Sequence, residues 1–415
     1  MNTKLMNSPS LDLNLHANSA GSDAMPAQMK LIVSMLRKLE HGSLRIDYPN
    51  GDSAIFGDSS TPITLSLSNW NIAAAVMKSG DIGFAESYIH GDWHTDNLTG
   101  LIDLFIRNRH AAESLIYGTW WGNLAYRLKH LFHRNSRSGS RKNIHAHYDI
   151  GNNFYQLWLD PSMTYSSAIF SDNEEQTLEQ AQTAKYQRII NELQLTSNAR
   201  ILEIGCGWGG FAELVTSQAN VHLTGLTLST EQLHFARQRL STANKTKCTD
   251  LRLQDYRDVN GEFDAIASIE MFEAVGEAYW PSYFECVARN LKEGGRACIQ
   301  TIVIDDALFE RYRKGTDFIQ QYIFPGGMLP SMSAFRKSAR KYGLEVANEF
   351  TFGSHYGRTL SQWRRSFHQQ LDNVRNQGFD DRFIRTWDFY LAYCEAGFIA
   401  GSIDVAQFTL IKTKV

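Results

Sequence analysis

The chain has 415 residues, 43% hydrophobic and 20% charged, with a net charge of −3. That length predicts two domains rather than one core, and the composition is that of a globular protein. The near-neutral balance excludes a global attraction to nucleic acid or anionic lipid, so any such attraction needs a local patch.

Residues 1–28 are polar, with no continuous apolar stretch, and read as a disordered leader rather than a secretory signal. No run of about 18 apolar residues occurs, so no membrane span is expected. MKLIVSMLRKLEHG then reads as an amphipathic helix ending at Gly42. SLRIDYPNGDSAIFG alternates around Pro49-Asn50-Gly51, a hairpin signal. ITLSLSNWNIAAAVM reads as a strand and a helix, and a turn near Gly91 leads into another helix. Together, 29–110 form a small α+β domain.

Segment 111–144 is different in kind. It carries Trp120, Trp121, Tyr126 and Phe132 beside Arg127, Lys129, Arg134, Arg137, Arg141 and Lys142, and ends in the linker-like RNSRSGSRKN. A basic aromatic helix of this kind suits an anionic membrane surface. It equally suits a solvated helix between domains, and composition leaves both open.

From 145 to the C-terminus, strands and helices alternate. ARILEIGC, VHLTGLTL, LRLQDY, FDAIASIEMF and RACIQTIVI read as successive strands, with helices at FAELVTSQA, STEQLHFARQRL and EAYWPSYFECVARNLKEG. This predicts a doubly wound, Rossmann-like α/β domain with a largely parallel sheet. Residues 305–350 read as an inserted helical segment, and AQFTLIKTKV as a final strand. The five cysteines (Cys206, Cys248, Cys286, Cys298, Cys394) are odd in number and never form a CxxC pair. They suit reduced thiols in a cytoplasmic protein, not a disulfide framework or a zinc site.

The motif that carries chemistry is ILEIGCGWGG. Gly205 and Gly207 sit where the first strand meets its helix, and glycine there lets the backbone turn sharply and approach a ligand closely. The spacing could cradle a dinucleotide pyrophosphate. Against that, Glu203 puts a carboxylate at the strand end, and the second strand ends in GLTLS, without the acidic residue an NAD ribose needs. S-adenosylmethionine, cationic and free of phosphate, fits better. Glu203, Thr227, Ser229 and Gln232 could hold its polar parts, while Asp255 and Tyr256 could meet adenine. The catalytic half has no basic stripe and no Asn/Asp-Pro-Pro-aromatic tetrapeptide, so nucleic acid is not an expected partner.

HAHYDIGNNFYQLWLDPSMTYSSAIF, ILEIGCGWGG, GLTLSTEQ, LQDYRD, SIEMFEAVG and YIFPGGMLPS together resemble the cyclopropane fatty acid synthase family. GFAESYIHGDW also resembles the front domain of its phospholipid-acting members. The resemblance implies methyl transfer from S-adenosylmethionine to a double bond in an unsaturated phospholipid, at the inner membrane surface, by a homodimer. It places Tyr165, Ser166, Gly205, Gly207, Thr227, Leu228, Gln232 and Tyr256 on the cofactor. It also implies a bound bicarbonate as base, held by Ser167, Glu273, Gln300, Ile302 and Tyr356. Ser167 stands where the family usually has cysteine, Gln300 where it usually has histidine, and Ala274 where histidine is common. Gln300 can donate a hydrogen bond but carries no charge, so weaker anion binding is expected. Two products follow as expectations: a cyclopropane, or a methyl-branched unsaturated chain from non-cyclising transfer.

Overall fold

The computed structural model describes residues 24–58, 61–110, 150–173 and 175–413. The polar leader up to residue 23 and the whole basic aromatic segment 111–144 lie outside them.

The first unit begins with α1 (Ala27–Leu36). Strands β1 (Ser43–Asp47), β2 (Ser53–Gly57) and β3 (Ile63–Leu67) follow, then α2 (Asn71–Ile89), β4 (Trp93–Thr95) and α3 (Leu98–Arg107). The sheet order is β2-β1-β3-β4. The hairpin signal is realised as antiparallel β1–β2, whereas β1 and β3 pair in parallel. β4, read from sequence as part of a turn, is a three-residue strand too short to carry a periodicity. α2 is kinked at Gly80, whose φ of 58° takes the chain out of helical geometry.

The second unit is built on a seven-stranded sheet. Its elements are α4 (Leu178–Leu193), β5 (Ala199–Ile204), α5 (Gly210–Gln218), β6 (Val221–Thr227), α6 (Thr230–Thr242), β7 (Thr249–Leu253), β8 (Phe263–Ile269), α7 (Trp280–Asn290) and β9 (Leu291–Ile304). They are followed by α8 (Met332–Arg340), β10 (Leu344–Thr351), α9 (Gly353–Gln369), α10 (Asp381–Ile399) and β11 (Ile403–Lys412). The order is β10-β11-β9-β8-β5-β6-β7, parallel from β7 to β9, with β11 and β10 antiparallel at one edge. The expected Rossmann-like α/β fold is therefore present. The reading of 305–350 as an inserted helical segment is corrected at its end by β10, an edge strand that is half exposed and so lacks the apolar run that marks the central strands.

Local chemistry sets the element ends. Thr177 and Gln180 form a reciprocal capping box on α4, and Asp380 caps α10 by accepting from the Phe383 N–H. Buried clusters cover both faces of the large sheet. A third, larger cluster runs without a break from Leu44, Ile46 and Trp93 of the first unit to Phe154, Trp158, Trp363 and Trp387 of the second. The two units thus share one apolar interior. All five cysteines are free thiols.

Candidate active site

One cavity of about 590 Å³ passes through this shared interior. At one end lie Gly205, Gly207, Leu228 and Tyr256, at the carboxyl ends of the parallel strands, where open α/β sheets bind ligands. At the other lie Met29, Leu36, Ile46, Leu67 and Ile106 of the first unit. Between them the wall is apolar and aromatic, with Tyr356, Tyr390, Phe324 and Phe398.

The glycine turn forms because β5, buried at every position but Arg200, must reverse into α5 within a few residues. Gly205 has φ +86°, and a Cβ there would lie 2.9 Å from Met271 Cγ. Glu203, 2% exposed, faces this end, and its Oε2 finds no hydrogen-bond partner among the described residues. Burial, partly offset by Lys185, pushes its carboxyl up to about 8. A cationic ligand would satisfy both the orphaned oxygen and the buried charge. S-adenosylmethionine meets that need through its ammonium and sulfonium, so the residues present fit it. Thr227, Leu228, Gln232 and Tyr256 line the same end, with the Thr227 hydroxyl donating to Gln232 Oε1 at 3.0 Å. Tyr165 and Ser166 complete it; the Tyr165 and Tyr390 hydroxyls are 2.7 Å apart, and the buried Lys185 ammonium donates to Ser166 Oγ at 2.6 Å.

Two residues assigned to the cofactor from sequence have side chains engaged elsewhere. Ser229 caps α6, its Oγ accepting from the Gln232 N–H at 3.2 Å. Asp255 pairs with Arg257 at 2.6 Å, leaving Gln254 in the cavity wall. The supporting role is real, because the cap fixes the helix that presents Gln232.

Of the five positions expected to hold an anion, Ser167, Gln300 and Tyr356 meet around a residue that sequence reasoning passed over, while Glu273 and Ile302 pair with each other. Glu270, partly buried on the cavity wall, follows β8 inside SIEMFEAVG. Its Oε1 accepts from the Ser167 N–H at 2.8 Å and from Gln300 Nε2 at 2.7 Å, and its Oε2 accepts from the Tyr356 hydroxyl at 2.5 Å. Ser167 Oγ donates to the Ala168 carbonyl at 3.1 Å, and it is the Ser167 backbone N–H that serves Glu270. Gln300 is fixed from its other end by Gln407 Nε2, which donates to Gln300 Oε1 at 3.0 Å. Glu273 accepts a short hydrogen bond from the Ile302 N–H. Burial and the nearby Glu270 charge push Glu273 up to about 8. Burial also raises Glu270, against the Tyr356 hydrogen bond and the Lys185 charge, which favour its ionised form. Lys185 itself is pushed down to about 7 by burial, against the pull of Glu270, Asp160 and Glu203. Neither Glu270 nor Lys185 breaks a sequence pattern; a titratable residue at a strand's carboxyl end was the one available signal for Glu270. Among the described residues no group of His, Cys, Asp and Glu could hold a metal ion.

Comparison with known proteins agrees with this geometry. Residues 135–408 match the family described as mycolic acid cyclopropane synthetase. The tuberculostearic acid methyltransferase UfaA1 of Mycobacterium tuberculosis is 34% identical over 385 residues, 91% of this chain and 89% of that protein. The cyclopropane-fatty-acyl-phospholipid synthase of Escherichia coli K12 is 34% identical over 355 residues, 84% of this chain and 87% of that one. The mycolic acid cyclopropane synthase CmaA1, solved with SAH and CTAB, superposes with a TM-score of 0.62 at 30% identity, over 66% of this chain and 98% of its own. With its methyltransferase fold, its cation-ready glycine turn and its apolar cavity, the chain belongs to the mycolic acid cyclopropane synthetase family and is an S-adenosylmethionine-dependent lipid methyltransferase of the cyclopropane synthase type.

Proposed function

We propose that the protein methylates the double bond of an unsaturated acyl chain carried by a membrane phospholipid, and that the product is a cyclopropane. The observation that carries this reading is the continuous apolar cavity joining the first unit to the glycine turn. An acyl chain exchanges one apolar setting for another on entering it, and each CH₂ exposed to water on the way would cost about 0.8 kcal/mol. The similarity to the phospholipid synthase of Escherichia coli covers 84% of this chain, enough to reach into the first unit, and supports a phospholipid substrate. Among the described residues no helix is long and apolar enough to cross a membrane, so we infer docking at the bilayer surface rather than insertion across it.

The bound cofactor supplies an electrophilic methyl on sulfur. Everything else falls to the chain's own residues. Glu203 holds positive charge at the glycine turn. Apolar walls align the alkene and exclude water, and orientation of this kind can lower a barrier by several kcal/mol. Methylation leaves a cation on the acyl chain. The Tyr356 ring, stacked 4.5 Å from Phe398, and the Tyr165 ring present π faces to that charge. A proton must then be lost for the ring to close.

The test is incubation with deuteromethyl S-adenosylmethionine and vesicles of monounsaturated phospholipid, followed by mass spectrometry of the acyl chains. Two retained deuteriums with cyclopropane fragmentation are expected. Three would replace ring closure with the non-cyclising reaction. Label confined to free fatty acid would remove the phospholipid from the reading.

A further inference from the structure

We propose that Glu270 is the base of the reaction: its own carboxylate takes the proton that the methylated chain loses, in the place where a free anion would otherwise sit. This rests on the lipid methyltransferase reading above and adds a named residue to it.

Three observations converge. First, Glu270 lines the cavity directly after β8, between the glycine turn and the aromatic wall. Second, it is held as an anion would be held. Two N–H groups, from Ser167 and Gln300, meet Oε1, and one O–H, from Tyr356, meets Oε2. Neither N–H can reverse its role and accept, so both favour the ionised form. The same three residues are among those a bicarbonate would need, and Glu270 already occupies their donors. The neutral Gln300 is then no defect: it serves a carboxylate tethered to the chain, which needs no extra charge to keep it in place. Third, the backbone of Glu270 has φ +50°, a left-handed conformation costly for a residue with a Cβ, and the N–H of Glu270 donating to the Gln300 carbonyl at 2.8 Å holds it there. Strain retained at a cavity wall is the mark of a side chain aimed for use. Glu273, raised by burial and by this neighbouring charge, keeps its own proton near neutral pH and leaves the role of acceptor to Glu270.

The step balances. The π pair of the alkene forms the bond to the incoming methyl carbon, and the C–S bond breaks with its pair going to sulfur. Glu270 takes H⁺ from the new methyl, and the pair of that C–H bond closes the third side of the ring onto the cationic carbon. If the proton comes instead from a neighbouring chain carbon, the pair forms a double bond, and the same base serves. The proton passes to solvent when product leaves.

The experiment uses the full-length protein with monounsaturated phospholipid vesicles, and follows labelled methyl incorporation in bicarbonate-stripped and bicarbonate-supplemented buffer. Wild type should turn over equally in both. E270Q should lose roughly 10²–10⁴-fold in turnover, the usual contribution of a positioned base, while binding S-adenosylhomocysteine as wild type does. E270G suits the left-handed backbone and leaves a carboxylate-sized space; its activity should be lost and partly restored by added bicarbonate or formate. A wild-type rate that falls when bicarbonate is stripped overturns the proposal, as does E270Q turnover near wild type. If wild type transfers no methyl to any unsaturated acyl lipid, the functional reading fails with it. Wild-type turnover with an indifferent E270Q defeats the base assignment alone.

Discussion

Glu203 shows how burial sets the conditions under which one carboxylate works. In the ligand-free site its carboxyl is pushed up to about 8. A cationic ligand favours the ionised form, so binding must drive off a proton whenever the pH lies below that value. Affinity for S-adenosylmethionine should therefore rise with pH and level off above about 8, falling by at most roughly tenfold per unit below it. Calorimetry across that range, in buffers of different ionisation enthalpy, would show the proton release. E203Q should bind more weakly and flatten the profile, and a wild-type profile as flat as that of E203Q would remove the carboxylate from the binding site. Glu203 was legible in the sequence because it stands two residues before a glycine turn at the end of an apolar strand. Glu270 was not, because its importance lies in a backbone angle and in three donors that reach it from residues 167, 300 and 356. Ser229 and Asp255 misled for the complementary reason: a polar residue at a strand end can serve a helix cap or an ion pair as readily as a ligand.

At the level of elements, the junction between β5 and α5 is the least forgiving. Gly205→Ala would force a side chain into φ +86° and within 2.9 Å of Met271. The backbone strain alone should cost about 1–3 kcal/mol. We expect a lower melting temperature together with lost cofactor affinity, measurable by thermal denaturation and calorimetry. Trimming Met271 to alanine in the same chain should not restore stability, since the contact with Cγ goes but Met271 Cβ at 3.0 Å and the backbone angle remain. The parallel strands β5 and β8 were readable because strands covered on both faces are mostly apolar. β10 alternates between exposed and half-buried positions at the sheet edge, and its polarity mimics an amphipathic helix. α2 was readable as a helix, but its kink at Gly80 depends on what packs around it.

Across the whole molecule, a buried polar seam joins the two units. Tyr88 donates to Asp388 of α10 at 2.7 Å, and the same carboxylate takes Arg364 at 2.7 Å and lies 2.6 Å from His368 Nε2. Thr99 donates to Glu395 at 2.8 Å, and Arg385 donates to the Tyr88 and Trp93 carbonyls. Burial alone would raise the Asp388 carboxyl, but His368 and Arg364 outweigh it and hold the group well below the ordinary carboxylate range. A depressed folded value contributes stability that is present above the unfolded value and lost as pH falls through the folded one. D388N should therefore destabilise the protein by about 3 kcal/mol at neutral pH, through Arg364 left without its counter-charge. The gap from wild type in urea unfolding should shrink as the pH drops below about 4.

The cavity that spans both units makes the substrate a structural member of the protein. Its walls come from both units, so an acyl chain lying in it would complete an interior that the polypeptide leaves hollow. Whatever fills that hollow binds only when the units are together, and by mass action it must hold them together in turn. A long-chain lipid analogue should accordingly raise the melting temperature and slow hydrogen exchange in α1, α3 and α10, at the seam as well as at the glycine turn. The enzyme would then be least stable when idle and most firmly assembled at the moment it holds the chain it modifies.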